Sequence, residues 1–469
     1  MKITFRSVWL SCLLLGATIV MVASSGVAIS TAAQRTPLVH SSPACQLNLL
    51  GETRSSPAET AAWNKVFSDF KSRFHCSVVA TWQGQWSGIP QLLNEARISH
   101  QTVDIVADGT YNYSLASAGD LMDLTKLVAP YKSRFPAATL QPFTVDGRLW
   151  AVPDEPETFS MFFYNVTLFK KLDLTVPRTF AQLEHDAQVI KSRTNVLPIV
   201  EGGSDAWEWP MWYMATFAQT SGNKSVPDTI AFLEGKQQFT SAASVQALED
   251  IAQFSKDGLL TENALGTDEN GAVAAFVKGL AAMMFDGGWD LPTIEAGQPK
   301  FSIGVFPFPL VVSKAGVFVQ PNGSPSEGLA IPSSIPRADL PMAAQFLEFV
   351  SSPLEANKIQ STLDPEVPTI TGVKPVSDPL SATLREYLPK TNSWLDWIWP
   401  ADVVTSVENA IEGVLFSHQS AMSAAKSVQN ELQTLRQEQN YNYDFWATWS
   451  KAQRSAVEPP FIPKVEIQK

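Results

Sequence analysis

The sequence predicts an α/β protein built as two lobes, and three observations lead there. Its 469 residues exceed what a single compact core holds. With 45% hydrophobic and 17% charged residues, it has apolar material for packed cores and does not read as disordered. From Gln46 to Ala107, short apolar runs alternate with helical periodicity, the pattern of a mostly parallel sheet with right-handed crossovers.

Strand-like Gln46–Leu50 is followed by a helical stretch, 57–74, where Ala61, Val66, Phe67, Phe70 and Phe74 recur mostly three and four apart. A strand at Ser77–Thr81, a helix at Ile89–Ile98 and a strand at Val103–Ala107 continue the alternation. In such sheets ligands bind beyond the carboxyl ends of strands. Those loops hold Glu52-Thr53, Trp82 to Trp86, and Asp108 to Tyr111.

Asp146–Pro153 reads as a turn and strand, Thr158–Tyr164 as a second strand, and here the chain crosses between lobes. A helix at Phe180–Arg193 behind a Thr179 cap and a strand at Val196–Val200 restart the α/β pattern. Helices at 241–256 and 272–279 precede the apolar strand Ala281–Phe285, which ends in Asp286-Gly287-Gly288-Trp289-Asp290. Later come a strand at Glu327–Ile331, a helix at Met342–Val350 and one or two amphipathic helices within 403–437. No repeat of solenoid period is present, and the tail beyond Val457 is Pro-rich.

Lys2 and Arg6, the apolar run Val8–Val22 and the small residues near Ser30 to Ala33 have the layout of a secretory signal peptide, expected to span 1–33. A retained anchor over 8–29 is the alternative, since that stretch is about long enough to span a bilayer. A net charge of −12 opposes binding to nucleic acid or anionic lipid, both of which require clustered lysine and arginine. Cys12 lies inside the apolar run, leaving Cys45 and Cys76, each just before an apolar run. If those runs are neighbouring parallel strands, the sulfurs start close together and a disulfide follows; two buried free thiols are the alternative.

Three blocks carry a family resemblance: "DIVADGTYNYSLASAGDLMDLT" at 104–125, "GRLWAVPDEPETFSMFFYNVTLFKKLDLTVPRTFAQLEHDAQV" at 147–189, and "AFVKGLAAMMFDGGWDL" with "IGVFPFP" within 275–309. A weaker fourth, "GLAIPSS" with "AAQFLEFVSSPLEA", lies within 328–356. In this order they resemble the family-1 extracellular solute-binding proteins of ABC sugar importers, the maltose-binding-protein type. Phe180 stands where that family usually has Trp, and Asp173 where Gly is common. The resemblance implies a two-lobed type II periplasmic-binding fold, each lobe a mostly parallel sheet, with lobes at 43–152 plus 327–362 and 153–326 plus 363–469. It also implies a non-enzymatic monomer outside the cytoplasmic membrane, closing by hinge motion on a carbohydrate and docking on membrane permease subunits, with no cofactor.

A sugar offers an apolar C–H face and a rim of hydroxyls, so its site needs aromatic rings and carboxylates or amides. Tryptophan also fills cores, so position decides among the 14 present. Trp289, with Gly288 before it, matches the family's stacking Trp; Asp290 binds hydroxyls or caps the following helix. Trp207 and Trp209 fall in the family's aromatic cleft loop, and Trp397 in a cluster with Trp394 and Trp399. Trp82 and Trp86 flank the second-strand loop; Asp108, Tyr111 and Glu52 supply polar groups at strand ends. Each has a packing or capping role as its rival.

A glycoside hydrolase needs paired carboxylates about 5 to 10 Å apart. The acidic run Asp154-Glu155-Pro156-Glu157 lies at the lobe crossing, where solvated charges are ordinary. His40, His75, His100, His185 and His418 have no metal-ligand spacing. Arg54 and Arg148 are the arginines available to a carboxylate ligand. No nucleophile elbow, phosphate-cradling Gly loop or CxxC occurs.

Overall fold

The computed structural model describes residues 45–438 except 55, 84–87, 109–114, 117–118, 138, 141–142, 146, 313–315, 318, 320, 326, 364–367, 375–379, 381, 383–393 and 397. The expected signal peptide, the anchor alternative and the C-terminal tail lie outside the described residues. Among these residues no helix is long and apolar enough to cross a membrane.

The chain opens with β1 (Cys45–Gly51), α1 (Pro57–Phe74), β2 (Cys76–Trp82), α2 (Ile89–Ile98) and β3 (Ile105–Asp108). Ser56 starts α1 by accepting from the Glu59 N–H, and His75 ends it at φ 55°. Short strands β4 (Thr144–Val145), β5 (Arg148–Leu149) and β6 (Val152–Pro153) lead to the nine-residue β7 (Glu157–Asn165). Then follow α3 (Phe180–Arg193), capped by Thr179, β8 (Leu197–Val200), α4 (Trp209–Thr220), α5 (Ala242–Lys256) and α6 (Glu269–Val277). Next are β9 (Ala281–Gly287), β10 (Ile303–Phe306), β11 (Gly323–Pro325) and β12 (Gly328–Ala330). Helices α7 (Leu340–Val350), α8 (Ala401–Phe416) and α9 (Ala421–Glu438) complete the frame.

Ten of these strands form two five-stranded sheets, and β4 and β5 pair with each other. The first runs β2-β1-β3-β12-β6, with β1 parallel to both β2 and β3, and β12 antiparallel to β3 and β6. The second runs β10-β7-β9-β8, with β11 also on β7. There β9, β10 and β11 all pair antiparallel to β7 and β8 pairs parallel to β9, so four strands run one way and β7 runs against them. Each sheet is thus mostly parallel with one reversed strand, β12 in the first and β7 in the second, as the two-lobed α/β expectation requires.

Each sheet has its own core. Leu47, Trp63, Phe70, Ile105, Leu329 and Phe346 fill the first, together with Ile370 and Val373. Phe162, Trp212, Phe254, Phe285, Val407 and Leu432 belong to the second. Trp150 is half-buried and packs against both. Helix α4 is apolar on every face, so it lies inside. Trp212 is fully buried and meets Phe162, Phe254, Phe285 and Phe308 edge-on, with centroids 6.1, 4.8, 5.2 and 5.6 Å away. Such rings contribute about 1.5 to 3 kcal/mol each by burial.

Cys45 and Cys76 sit opposite each other at the start of the β1–β2 ladder and are joined as a disulfide. The acidic run at the lobe crossing is not solvated, contrary to expectation. Asp154 is buried, and Glu155 pairs at 2.8 Å with the buried Arg54, which also meets Glu59 at 3.0 Å, Glu327 at 3.3 Å and Glu52 at 3.7 Å. Arg54 is thus committed to four glutamates, while Arg148 is exposed and lies 3.9 Å from Asp123.

Candidate functional site

The expected site residues fall into two groups on the two sheets. At the carboxyl ends of the first sheet, Gly51 pairs with Trp82 and with Ala107, which brings the loops bearing Glu52, Trp82 and Asp108 side by side. Glu52 is half-buried beside Arg54. Trp82 is half-buried too: one side packs on Trp63 and Phe67, at 5.8 and 6.3 Å, and Arg54 lies 4.6 Å from its ring centroid. Asp108 closes β3 opposite Gly328; its side chain, like Trp86, Tyr111 and Trp397, lies outside the description.

The second group gathers where β9 ends. Its register against β7 runs through Gly287, so Gly288, Trp289 and Asp290 emerge as a single helical turn just beyond the carboxyl end of β9. The Trp289 indole folds back over Gly287 so closely that a Cβ there would overlap the ring. Trp207 stands 5.7 Å from Trp289, and Trp394 6.0 Å from it. Trp207 and Trp289 are half-buried, leaving ring surface exposed, whereas Trp394 is buried.

Trp209 does not join them. It begins α4, is fully buried against Phe416, and donates from Nε1 to the Gly203 carbonyl at 3.1 Å and to Glu412 at 3.2 Å. The expectation that Trp209 lines a cleft loop is corrected: an apolar run with helical continuity turned it into the core. Trp399 is likewise buried, 5.9 Å from Tyr213. Gly288 and Asp290 are buried as well, and Asp290 makes no capping hydrogen bond to the short helix that follows.

Beside Trp289 lies an acidic cluster of which the sequence reading named only Asp290. Trp289 Nε1 donates to Glu269 Oε1 at 2.9 Å, and Trp212 Nε1 to Glu201 Oε1 at 2.8 Å. Burial, then repulsion from Asp286, pushes Glu269 up to about 8, against the indole's donation. Burial raises Glu201 to about 8 and Asp286 to about 6, and burial with Asp286 beside it holds Asp290 well above the carboxylate range. Glu208 is raised by burial and by Glu201. One signal was available: Asp286 is a charge inside a strand whose seven residues are all buried. Glu269 reaches the site only through tertiary packing of α6.

This chemistry suits recognition of a neutral polar guest, with exposed indole faces above and hydrogen-bonding carboxyls behind. The model of the family described as bacterial extracellular solute-binding protein matches residues 54–356. A multiple sugar-binding protein of Streptococcus mutans is 26% identical over 266 residues, 55% of this chain, and the match spans only 61% of that relative's length. Among solved structures, a chitin oligosaccharide binding protein superposes with a TM-score of 0.74 at 21% identity, covering 83% of this chain and 98% of that one. RafE in complex with raffinose gives 0.68 at 20% identity, covering 83% and 99%. The chain belongs to the bacterial extracellular solute-binding proteins and has their two-lobed type II fold.

Proposed function

We propose that the protein is the exported receptor of an ABC importer and binds a neutral sugar between its lobes, handing it to membrane permease subunits. The observation that carries the reading is the half-buried Trp207–Trp289 pair at the carboxyl end of β9, with Glu269 fixing the Trp289 indole from behind. Flat rings suit the C–H face of a pyranose. The relatives support it: the Streptococcus mutans protein is named for multiple sugars, and the two solved structures for chitin oligosaccharide and raffinose.

In this reading residues 1–33 direct export, and the mature monomer closes its lobes, 43–152 with 327–362 and 153–326 with 363–469, over the guest. Ile370 and Val373 pack in the first core, so we propose that the first lobe reaches past residue 373. Glu52, Trp82 and Asp108 face the guest from the first lobe, with Trp86 and Tyr111 in their loops; Trp207 and Trp289 face it from the second, with Trp397. No bond is broken; the ligand shifts a population toward the closed form.

The test is a melting-temperature screen of the purified protein against mono-, di- and oligosaccharides and glycosylated polyols. A ligand at 100 times its Kd stabilises by about 2.7 kcal/mol, so the cognate guest stands out. Release of hydrolysis products from any of them, or no shift with the whole panel, overturns the proposal.

A further inference from the structure

Five carboxylates interact with one another around the end of β9: Glu201, Glu208, Glu269, Asp286 and Asp290. Their charges act on one another: Asp286 on the other four, Glu269 on Glu208 and Asp290, and Glu201 on Glu208. Among the described residues, no lysine or arginine acts electrostatically on Glu201, Asp286 or Asp290. A buried carboxylate group with no basic partner is compensated by a proton or by a cation.

Geometry decides between them. Glu269, Asp286 and Asp290 each offer one oxygen, and these oxygens all lie within 4.8 Å of one another. That spread fits a shell around one ion at the calcium–oxygen distance of about 2.4 Å. Asp286 and Asp290 are 1% and 4% exposed; their side chains lie within hydrogen-bonding reach of each other, and the buried Oδ2 of each receives no donor from any other residue. Both therefore have lone pairs left for a ligand, in a place too closed for a sugar hydroxyl. We propose that Glu269, Asp286 and Asp290 bind a single hard divalent cation, calcium in class, beneath Trp289.

Calcium is favoured over magnesium because three carboxylates can bind it bidentately in irregular geometry, whereas magnesium requires a near-ideal octahedron and retains waters. The ion would also hold Glu269, and through it the indole that Glu269 accepts from. The site stands whether or not the guest above it is a sugar.

The experiment is calorimetry and thermal melting of chelator-stripped protein titrated with CaCl2 or MgCl2 alone. One Ca2+ per chain is expected, with a rise in melting temperature, a change in tryptophan fluorescence and a weaker response to Mg2+. Asp290→Asn and Asp286→Asn should each weaken Ca2+ binding tenfold or more. Both variants should melt in chelator no lower than the wild type, because each removes a repelling charge; that readout separates a lost ion site from a lost fold. Absence of heat and of any melting shift up to about 10 mM Ca2+, the weak end of extracellular calcium modules, overturns the site and leaves a proton shared between Asp286 and Asp290. Unchanged Ca2+ affinity in both variants overturns it equally. Because no sugar is present, this result and the sugar screen fail or succeed independently.

Discussion

Trp289 concentrates the binding chemistry in one side chain, because it is the ring that both meets Trp207 and is anchored by a carboxylate. Trp289→Ala should weaken sugar binding by about 2 kcal/mol or more, roughly 30-fold, as central aromatic anchors do. Since the ring is half exposed, the melting temperature should move little; calorimetry and a melt on the same sample check both. Gly287→Ala tests the placement of the ring rather than its presence. The added methyl overlaps the indole, so the ring must swing away, and affinity should drop about tenfold while the β9 ladder persists. Wild-type affinity in Gly287→Ala would show that the ring position seen here is not the one that binds. Sequence alone pointed to Trp289 because it follows two glycines at a strand's end. It misplaced Trp209 because a dense aromatic run looks the same whether it forms a cleft loop or a core helix. The acids came from separate elements, Glu269 from α6 and Asp286 from β9, and histidine spacing is blind to a carboxylate-only cluster.

At the scale of elements, the local signals were strong where a strand or helix carried its own cap or period. Helices α1 and α3 and strand β1 lie where the apolar spacing puts them, because Ser56 and Thr179 cap the helices and the β1 run is bounded by turn residues. Strand direction was not legible, since an apolar run in β9 or β10 reads the same in a parallel or an antiparallel pair. The β1–β2 ladder has a consequence of its own. Its disulfide closes a sequence separation of 31 residues at the amino ends of both strands. Replacing both cysteines by serine should cost about 3 to 4 kcal/mol in the chain-entropy model, read by denaturant unfolding under non-reducing conditions. Ligand affinity should survive, because seven residues of strand, about 20 Å, separate the bridge from the loops at the carboxyl ends. A large loss of affinity in the double variant would mean that the bridge shapes the binding loops directly.

For the whole molecule, the two sheets meet through chain crossings, and the charge gathered there ties stability to pH. Asp154 follows β6, and Glu327 precedes β12, so both mark places where the chain passes between the sheets. Asp154 is raised to about 8, first by burial and then by Glu327, against the pull of Arg54. Burial, Glu327 and Glu59 raise Glu155 as well. Burial would also raise Glu327, but Arg54 and hydrogen bonding with Glu52 and Glu155 hold it below its usual value. Arg54 stays charged, with its pKa above an already basic norm. For Asp154 the sign is fixed. The folded state holds its proton up to about pH 8, while the unfolded chain releases it near pH 4. Its contribution is therefore complete below pH 4 and is lost as pH rises toward 8. Glu155 acts in the same direction, and Glu327 in the opposite one. Asp154→Asn keeps the shape and removes the proton, so it should gain about 2 to 3 kcal/mol over the wild type between pH 4 and pH 8. Denaturant unfolding of both proteins across that range measures the gain. Parallel curves for variant and wild type would mean that Asp154 is ionised in the folded protein and that Arg54 neutralises more of this junction than the geometry implies.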